Sequence, residues 1–235
     1  MISLDNWPKR PPLLTAEQEA AREQFLLLWH QKLPRDYAFI ESFSHGFAAK
    51  LPLKPGARTL EIGAGIGGQL DFEDLRSQDY SALESREQFC SELRKRLPPE
   101  RVFHGSIEER QHWPDRSFDR IVAIHMLEHL RNLPAAVEEV ARLLKDDGVF
   151  DVVIPCEGSL AYSIARRISA RRLFEKTFRT DYTPIIQNEH VNTYAEVVWL
   201  LRRHFAEERS AFFPLNVPVP AINVVAGMRW RKRAG

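Results

Sequence analysis

The sequence predicts an α/β fold: a mostly parallel sheet with helices on both faces and an antiparallel strand at one edge. From residue 58 onward, short apolar runs alternate with helical patterns, as strands joined by crossover helices do. The run at 118–124 is nearly all apolar at its end, which suits a strand buried on both faces. Two strand-like runs, 210–215 and 222–230, follow one another without a long helix between them, and Pro218 and Pro220 separate them. They read as a hairpin-like pair at a sheet edge, where proline is tolerated.

With 235 residues the chain is long enough for one substantial core. A hydrophobic fraction of 44% with 28% charged residues fits a globular protein and excludes a disordered or a membrane-spanning one. Net charge is +1, so any affinity for nucleic acid would have to come from a local patch. The N-terminal stretch lacks the apolar core of a secretory signal, and the apolar run from Val217 to Met228 is broken by prolines. A cytoplasmic address is therefore expected. Cys90 and Cys156 are too few for a four-cysteine zinc site or a disulfide scaffold, and no metal is expected.

In chain order, the proline-rich residues 1–14 read as a surface arm. Thr15 and Gln18 form a capping box for a helix whose Ala21, Phe25, Leu28 and Trp29 make one apolar stripe, with Pro34 as its stop. A second helix runs from Tyr37 to Leu51. Strand one is Arg58 to Ile62, and a short helix follows its glycines to about Leu75. Strand two is Tyr80 to Glu84, followed by a helix with Phe89, Leu93 and Leu97 on one face, stopped by Pro98 and Pro99. Strand three is 101–104 and strand four 118–124. Pro134 suits the first turn of a helix carrying Val137, Val140 and Leu144, with Gly148 closing it before strand five, 149–154. Residues 157–180 are helical in pattern and basic, through Arg166, Arg167, Arg171, Arg172, Lys176 and Arg179. Thr193 and Glu196 form another capping box, opening a helix with Val197, Leu200 and Leu201 inside. A second basic patch, 229–233, ends the chain.

The segment Thr59-Leu60-Glu61-Ile62-Gly63-Ala64-Gly65-Ile66-Gly67-Gly68 is a strand running into a glycine loop that lets a ligand approach the backbone. Gly63, Gly65 and Gly68 satisfy the dinucleotide pattern G-x-G-x-x-G. A triphosphate loop needs Lys and then Ser or Thr after the glycines, and Gln69-Leu70 stands there instead. A dinucleotide would place its diphosphate on the following helix N-terminus, where Glu61 would repel it. S-adenosylmethionine carries an ammonium group and no phosphate, and a carboxylate attracts it. Glu84, at the end of strand two, accepts ribose hydroxyls from either ligand.

Glu61-Ile62-Gly63-Ala64-Gly65-Ile66-Gly67 resembles motif I of the class I S-adenosylmethionine-dependent methyltransferases. Three later segments follow the pattern and order of the ubiquinone-biosynthesis-like (type 11) branch. They are Gly105-Ser106-Ile107-Glu108 with Trp113 to Asp119, then His125-Met126-Leu127-Glu128-His129-Leu130, then Leu144 to Phe150. The resemblance spans about residues 55–156. It implies a Rossmann-like class I fold, with residues 1–52 as an N-terminal arm and helical cap and 53–235 as the methyltransferase domain. It also implies S-adenosylmethionine as cofactor. Glu61, Gly63, Ala64, Gly65 and Gly67 would hold the methionyl part, and Glu84 and Ser85 the ribose. Ser106 and Ile107 would frame the adenine, and His125 and Met126 would close over the cofactor. Ser106 departs from the family's usual Asp, which removes a charge-assisted contact.

For an oxygen acceptor, base candidates are His125, Glu128, His129 and His190, with His129 and His190 preferred. His190 lies in a polar stretch just ahead of the capped helix at Thr193. The expected reaction is O-methylation of a small saccharide-linked or anionic acceptor. A quinone or lipid precursor, a non-catalytic cofactor-binding subunit and an NAD-dependent oxidoreductase stand as alternatives. The basic segment 166–179 reads as a solvated face or as a dock for an anion or a membrane surface, and nucleic acid is not favoured.

Overall fold

The computed structural model describes residues 2–36 and 38–233, the side chains of 29–36 excepted. Two helices come first, α1 (Ala16–Asp36) and α2 (Ala38–Ala49). The central run is β1 (Ala57–Ile62), β2 (Gln78–Glu84), α3 (Glu87–Leu93), β3 (Val102–His104), β4 (Phe118–Ile124), α4 (Leu133–Leu143) and β5 (Leu144–Pro155). The chain finishes with α5 (Leu160–Arg166), α6 (Arg172–Phe178), α7 (Thr183–Glu189), α8 (Tyr194–His204), β6 (Phe205–Phe213) and β7 (Val225–Lys232). The sheet order is β3-β2-β1-β4-β5-β7-β6. Strands β1 to β5 are mutually parallel, while β7 runs antiparallel between β5 and the edge strand β6. Chain order reverses between β1 and β4, so the loops leaving those two strands diverge and open a crevice at their C-terminal ends.

Alternation along β4 shows how the sheet is covered. Ile121 and Ala123 belong to the core that includes Val137 and Val140 of α4 and Leu200 and Leu201 of α8. Val122 and Ile124 face the other way, with Ala48, Phe43 and Phe47 of α2. The helix α1 packs away from the sheet, its Ala21 and Phe25 against Phe174, Tyr182 and Ile185. Fully buried Phe118, Phe150 and Trp230 each contribute on the order of 2–3 kcal/mol through area removed from water.

Several boundaries differ from the sequence-based expectation. Helix α1 continues past Pro34 to Asp36, since in the last turn a proline removes a single intrahelical bond. Trp29's side chain and Tyr37 lie outside the described residues. The helix expected up to Leu75 is a single 3-10 turn, Gly68–Asp71, because Glu73 is drawn inward to Arg120 (2.8 Å). Helix α3 ends at Leu93, and Leu97 reaches the core from the tight turns that follow. Gly148 does not close α4: β5 starts at Leu144 and passes through it, and a Cβ there would meet the Lys145 carbonyl at 2.9 Å. The basic segment splits into α5, a π-helical turn (Arg167–Arg171) and α6.

The N-terminal arm is docked rather than free. Trp7 is buried, and its Nε1 donates to Asn192 Oδ1 at 2.7 Å. Lys9 pairs with Glu196, whose reciprocal bonds with Thr193 complete the expected capping box of α8. The expected basic patch 229–233 is only partly at the surface, where Arg231 and Arg233 are exposed. Arg229 and Trp230 are buried in β7, and Arg229 bonds both oxygens of Asp151. No helix among the described residues is long and apolar enough to cross a membrane.

Candidate active site

The crevice begins where β1 ends. Gly63, Gly65 and Gly67 all take positive φ (67°, 55° and 87°), a conformation that L-residues rarely adopt. The Gly63 and Ala64 N–H groups donate to the Leu83 carbonyl, which fixes the loop to the end of β2. A Cβ on Gly63 would lie 2.2 Å from Met126 Cγ, so the loops after β1 and β4 touch only because residue 63 has no side chain. Nothing lies within 4 Å of the corresponding position on Gly65, the part of the cradle left open.

Two carboxylates flank this loop. Glu61 is 3% exposed and accepts a hydrogen bond from Tyr80 Oη at 2.8 Å. Burial pushes its pKa up to about 7, against the opposing pull of Tyr80 and His45. Glu84 accepts from the Gly65 N–H (2.8 Å) through one oxygen and from the Arg86 N–H (2.9 Å) through the other. The oxygen bonded to Gly65 keeps a second lone pair for a hydroxyl, while the Ser85 hydroxyl lies against the other. Ser85 Oγ lies 3.4 Å from Glu84. Farther along, Ser106 Oγ accepts from the Glu108 N–H and lies 3.5 Å from the Glu108 carboxylate, while Ile107 is buried in the main core. Glu108 also accepts from the Asn132 N–H, at the start of α4.

His125 directly follows β4 with φ 50°, and its Nε2 is 2.9 Å from Ser44 Oγ of α2. The neighbouring His45 is bonded to Gln69 and packs beside Gly68, so α2 roofs the glycine loop. Met126 is buried against Gly63.

His129 and His190, far apart in sequence, meet edge to face with ring centroids 4.9 Å apart. Glu128, 3% exposed as a side chain, stands between His125 (3.7 Å) and His129 (3.9 Å). His129 Nδ1 is 2.8 Å from the Glu189 carbonyl oxygen, and His190 Nδ1 is 2.9 Å from Glu157 Oε2. Burial lowers the His190 pKa, aided by the charge of His129, beyond what Glu157 restores. For His129, burial also acts to lower the pKa, but the hydrogen bond and charge of Glu189 outweigh it and the net shift is upward. Burial works to raise Glu128, yet the surrounding histidines hold it below the usual carboxylate range. Cys156 is buried, and burial pushes its thiol up to about 12, which makes it an inert filler.

Sequence reasoning missed the supporting polar residues. Arg120 lies buried on β4 between Glu73 (2.8 Å) and Asp151 (2.7 Å), and Asp151 also pairs with Arg229. The available signal was a charge set beside apolar residues in three strands: Arg120 next to Ile121, Asp151 between Phe150 and Val152, and Arg229 between Met228 and Trp230. Glu157, Tyr162 and Glu189, which surround the histidine pair, carried no comparable sign.

Comparison with known proteins agrees with this geometry. A methyltransferase-domain family model matches residues 60–152. The sterol 24-C-methyltransferase erg6 of Aspergillus fumigatus is 30% identical over 125 residues, covering 49% of this chain and 32% of that protein. The putative methyltransferase YrhH of Bacillus subtilis is 28% identical, covering 51% of this chain and 69% of that one. The chain thus spans only about a third of the length of the sterol enzyme it matches. Among solved structures, the PH0226 protein of Pyrococcus horikoshii superposes with a TM-score of 0.62 at 16% identity, covering 85% and 92% of the two chains. A Thermotoga maritima structure described as a SAM-dependent methyltransferase gives 0.61 at 18% identity, over 91% and 99%. The chain carries a domain of the class I S-adenosylmethionine-dependent methyltransferase fold.

Proposed function

We propose that the chain is an S-adenosylmethionine-dependent methyltransferase acting on an oxygen of a small anionic or saccharide-linked acceptor. The observation that carries this reading is the pair of buried carboxylates, Glu61 and Glu84, on either side of an open glycine cradle. That donor set suits an ammonium and a ribose and repels a diphosphate. When bound, S-adenosylmethionine supplies an electrophilic methyl on a sulfonium. Glu61 attracts the ammonium, Glu84 and Ser85 accept the ribose hydroxyls, and the Ser106 hydroxyl with Ile107 receives the adenine. His125 and Met126, held by Ser44 and Gly63, cover the loop and exclude water. On this reading residues 1–52 act as a cap, because α2 roofs the crevice. The acceptor lies toward His129 and His190, which orient it within reach of the methyl and handle the proton that an oxygen nucleophile must lose.

The segment after β5 supports an anionic acceptor. Arg166 is engaged by Glu157 and Arg171 by Glu175, while Arg167, Arg172 and Lys176 remain exposed on the same helical stretch. A second reading, a lipid-linked acceptor, draws on Leu160, Ile164 and Ile168, an apolar stripe that is 71%, 53% and 69% exposed. The test is incubation with labelled S-adenosylmethionine and separate glycan, lipid, quinone and RNA fractions. Label entering the glycan or small anionic pool is expected, and label confined to lipid would favour the second reading. His190→Ala should abolish most turnover with cofactor still bound, and unchanged turnover would remove His190 from the mechanism.

A further inference from the structure

We propose that Glu128, His129 and His190 form a binding site for one divalent first-row transition cation, with a face left open for the acceptor oxygen. One ligand atom from each residue lies within 4.8 Å of the others. Glu128 and His129 come from the 3-10 turn after β4, and His190 caps α7, so tertiary packing alone assembles the three.

Both imidazoles are prepared for such a role by what holds their other nitrogen. A carbonyl oxygen only accepts, so the 2.8 Å contact with Glu189 O puts the hydrogen on His129 Nδ1 and leaves a lone pair on Nε2. That Nε2 faces Glu128 Oε1 at 3.9 Å. His190 Nδ1 sits against Glu157 Oε2, and Arg166 grips Glu157 through both oxygens at 2.8 and 2.7 Å. The arrangement leaves His190 Nε2 as a ligand atom. A carbonyl or carboxylate behind each imidazole is the support that metal-ligating histidines have.

Glu128 provides the independent sign. Its Oε2 is buried and has no hydrogen-bond partner among the described residues, although a buried carboxylate oxygen is costly to leave unsatisfied. A cation that Glu128 held through both oxygens, Oε1 being the one that faces His129, would satisfy it. Two imidazoles and one carboxylate on a single face, with open positions opposite, form a set that suits first-row divalent ions. Atoms bound to one ion at about 2.1 Å lie roughly 3–3.4 Å apart, so side-chain rotations of about an ångström close the present spacing. The His129 side chain is 37% exposed, which leaves the approach open to solvent and acceptor.

Such an ion would take over proton handling from the two imidazoles that hold it: it would lower the pKa of an acceptor hydroxyl bound at its open position, and the released proton would pass to solvent. That role rests on the methyltransferase reading; cation binding itself does not. It runs against the sequence-based expectation of no metal, because the ligands sit in two separate polar stretches that show no ligand spacing.

The test uses the full chain, stripped with a chelator and dialysed against Zn²⁺ alone. One bound ion per chain is expected. Affinity should fall by roughly 100-fold in His190→Ala and Glu128→Gln, and by about 10-fold in Glu157→Gln, which removes only the support behind His190. No stoichiometric Zn²⁺ on the wild-type chain, or equal affinity in all three variants, would overturn the proposal. S-adenosylhomocysteine binding, measured on the same samples with and without Zn²⁺, reports separately on the methyltransferase reading.

Discussion

Burial of Glu61 predicts that cofactor affinity rises with pH across the neutral range. In the free chain its pKa stands near 7, against an ordinary 4.5. Because the folded value is raised, Glu61 binds more protons folded than unfolded between those limits. Its stabilising share is complete below about pH 4.5 and is lost as pH rises through 7, a change of roughly 3 kcal/mol at about 1.4 kcal/mol per unit. An ammonium seated beside the carboxylate favours the ionised form. Glu61 is about one-tenth ionised at pH 6 and about three-quarters at pH 7.5. An α-amino group of pKa near 7.8 is still roughly two-thirds charged at pH 7.5, so affinity should rise about fivefold between the two. Calorimetry with S-adenosylhomocysteine, in buffers of different ionisation enthalpy, should show most of a proton released at pH 6. Glu61→Gln should remove the rise, leaving only the slight fall from loss of ammonium charge, and weaken binding at pH 7.5 by roughly 10- to 100-fold, the loss of one charge-assisted bond. A flat or falling affinity in the wild-type chain, or the same rise in Glu61→Gln, would refute the reasoning.

Other substitutions probe the frame around the crevice. Gly63→Ala should cost about 2–4 kcal/mol in urea denaturation, the sum of positive-φ strain and the clash with Met126, and Met126→Ala should recover only the clash. Trp7→Phe removes the buried donor to Asn192 and should destabilise by about 1–3 kcal/mol, with the arm cleaved earlier in limited proteolysis; an unchanged cleavage rate would mean the arm is not anchored there. Asp151→Asn leaves Arg120 and Arg229 without their shared carboxylate and should lower stability by roughly 3–5 kcal/mol, read as a shifted denaturation midpoint.

The parallel sheet and its order of motifs were legible in the sequence because buried strands and glycine loops leave local signatures. The run from Phe118 to Ile124 was bounded to the residue, and both capping boxes, at Thr15 and Thr193, form as read. Boundaries failed where tertiary contacts overrode local pattern. Gly148 looked like a helix stop but lies within a long strand, and Glu73 leaves its expected helix to meet Arg120. The residues of the glycine loop were legible as a cradle, since positive φ demands glycine. The assembly of Glu128, His129 and His190 was not, because it depends on α7 ending beside the turn after β4. The docking of the arm was missed for a similar reason: Pro8, Pro11 and Pro12 mark an extended chain, whereas one buried tryptophan and one asparagine far downstream decide where it docks.

The central claim, that the glycine loop between Glu61 and Glu84 cradles S-adenosylmethionine, is tested most directly by titrating the purified chain with S-adenosylhomocysteine and, separately, with NAD. Saturable, micromolar binding of S-adenosylhomocysteine at one site and no binding of NAD are expected. Saturable NAD binding with no response to S-adenosylhomocysteine would contradict that claim.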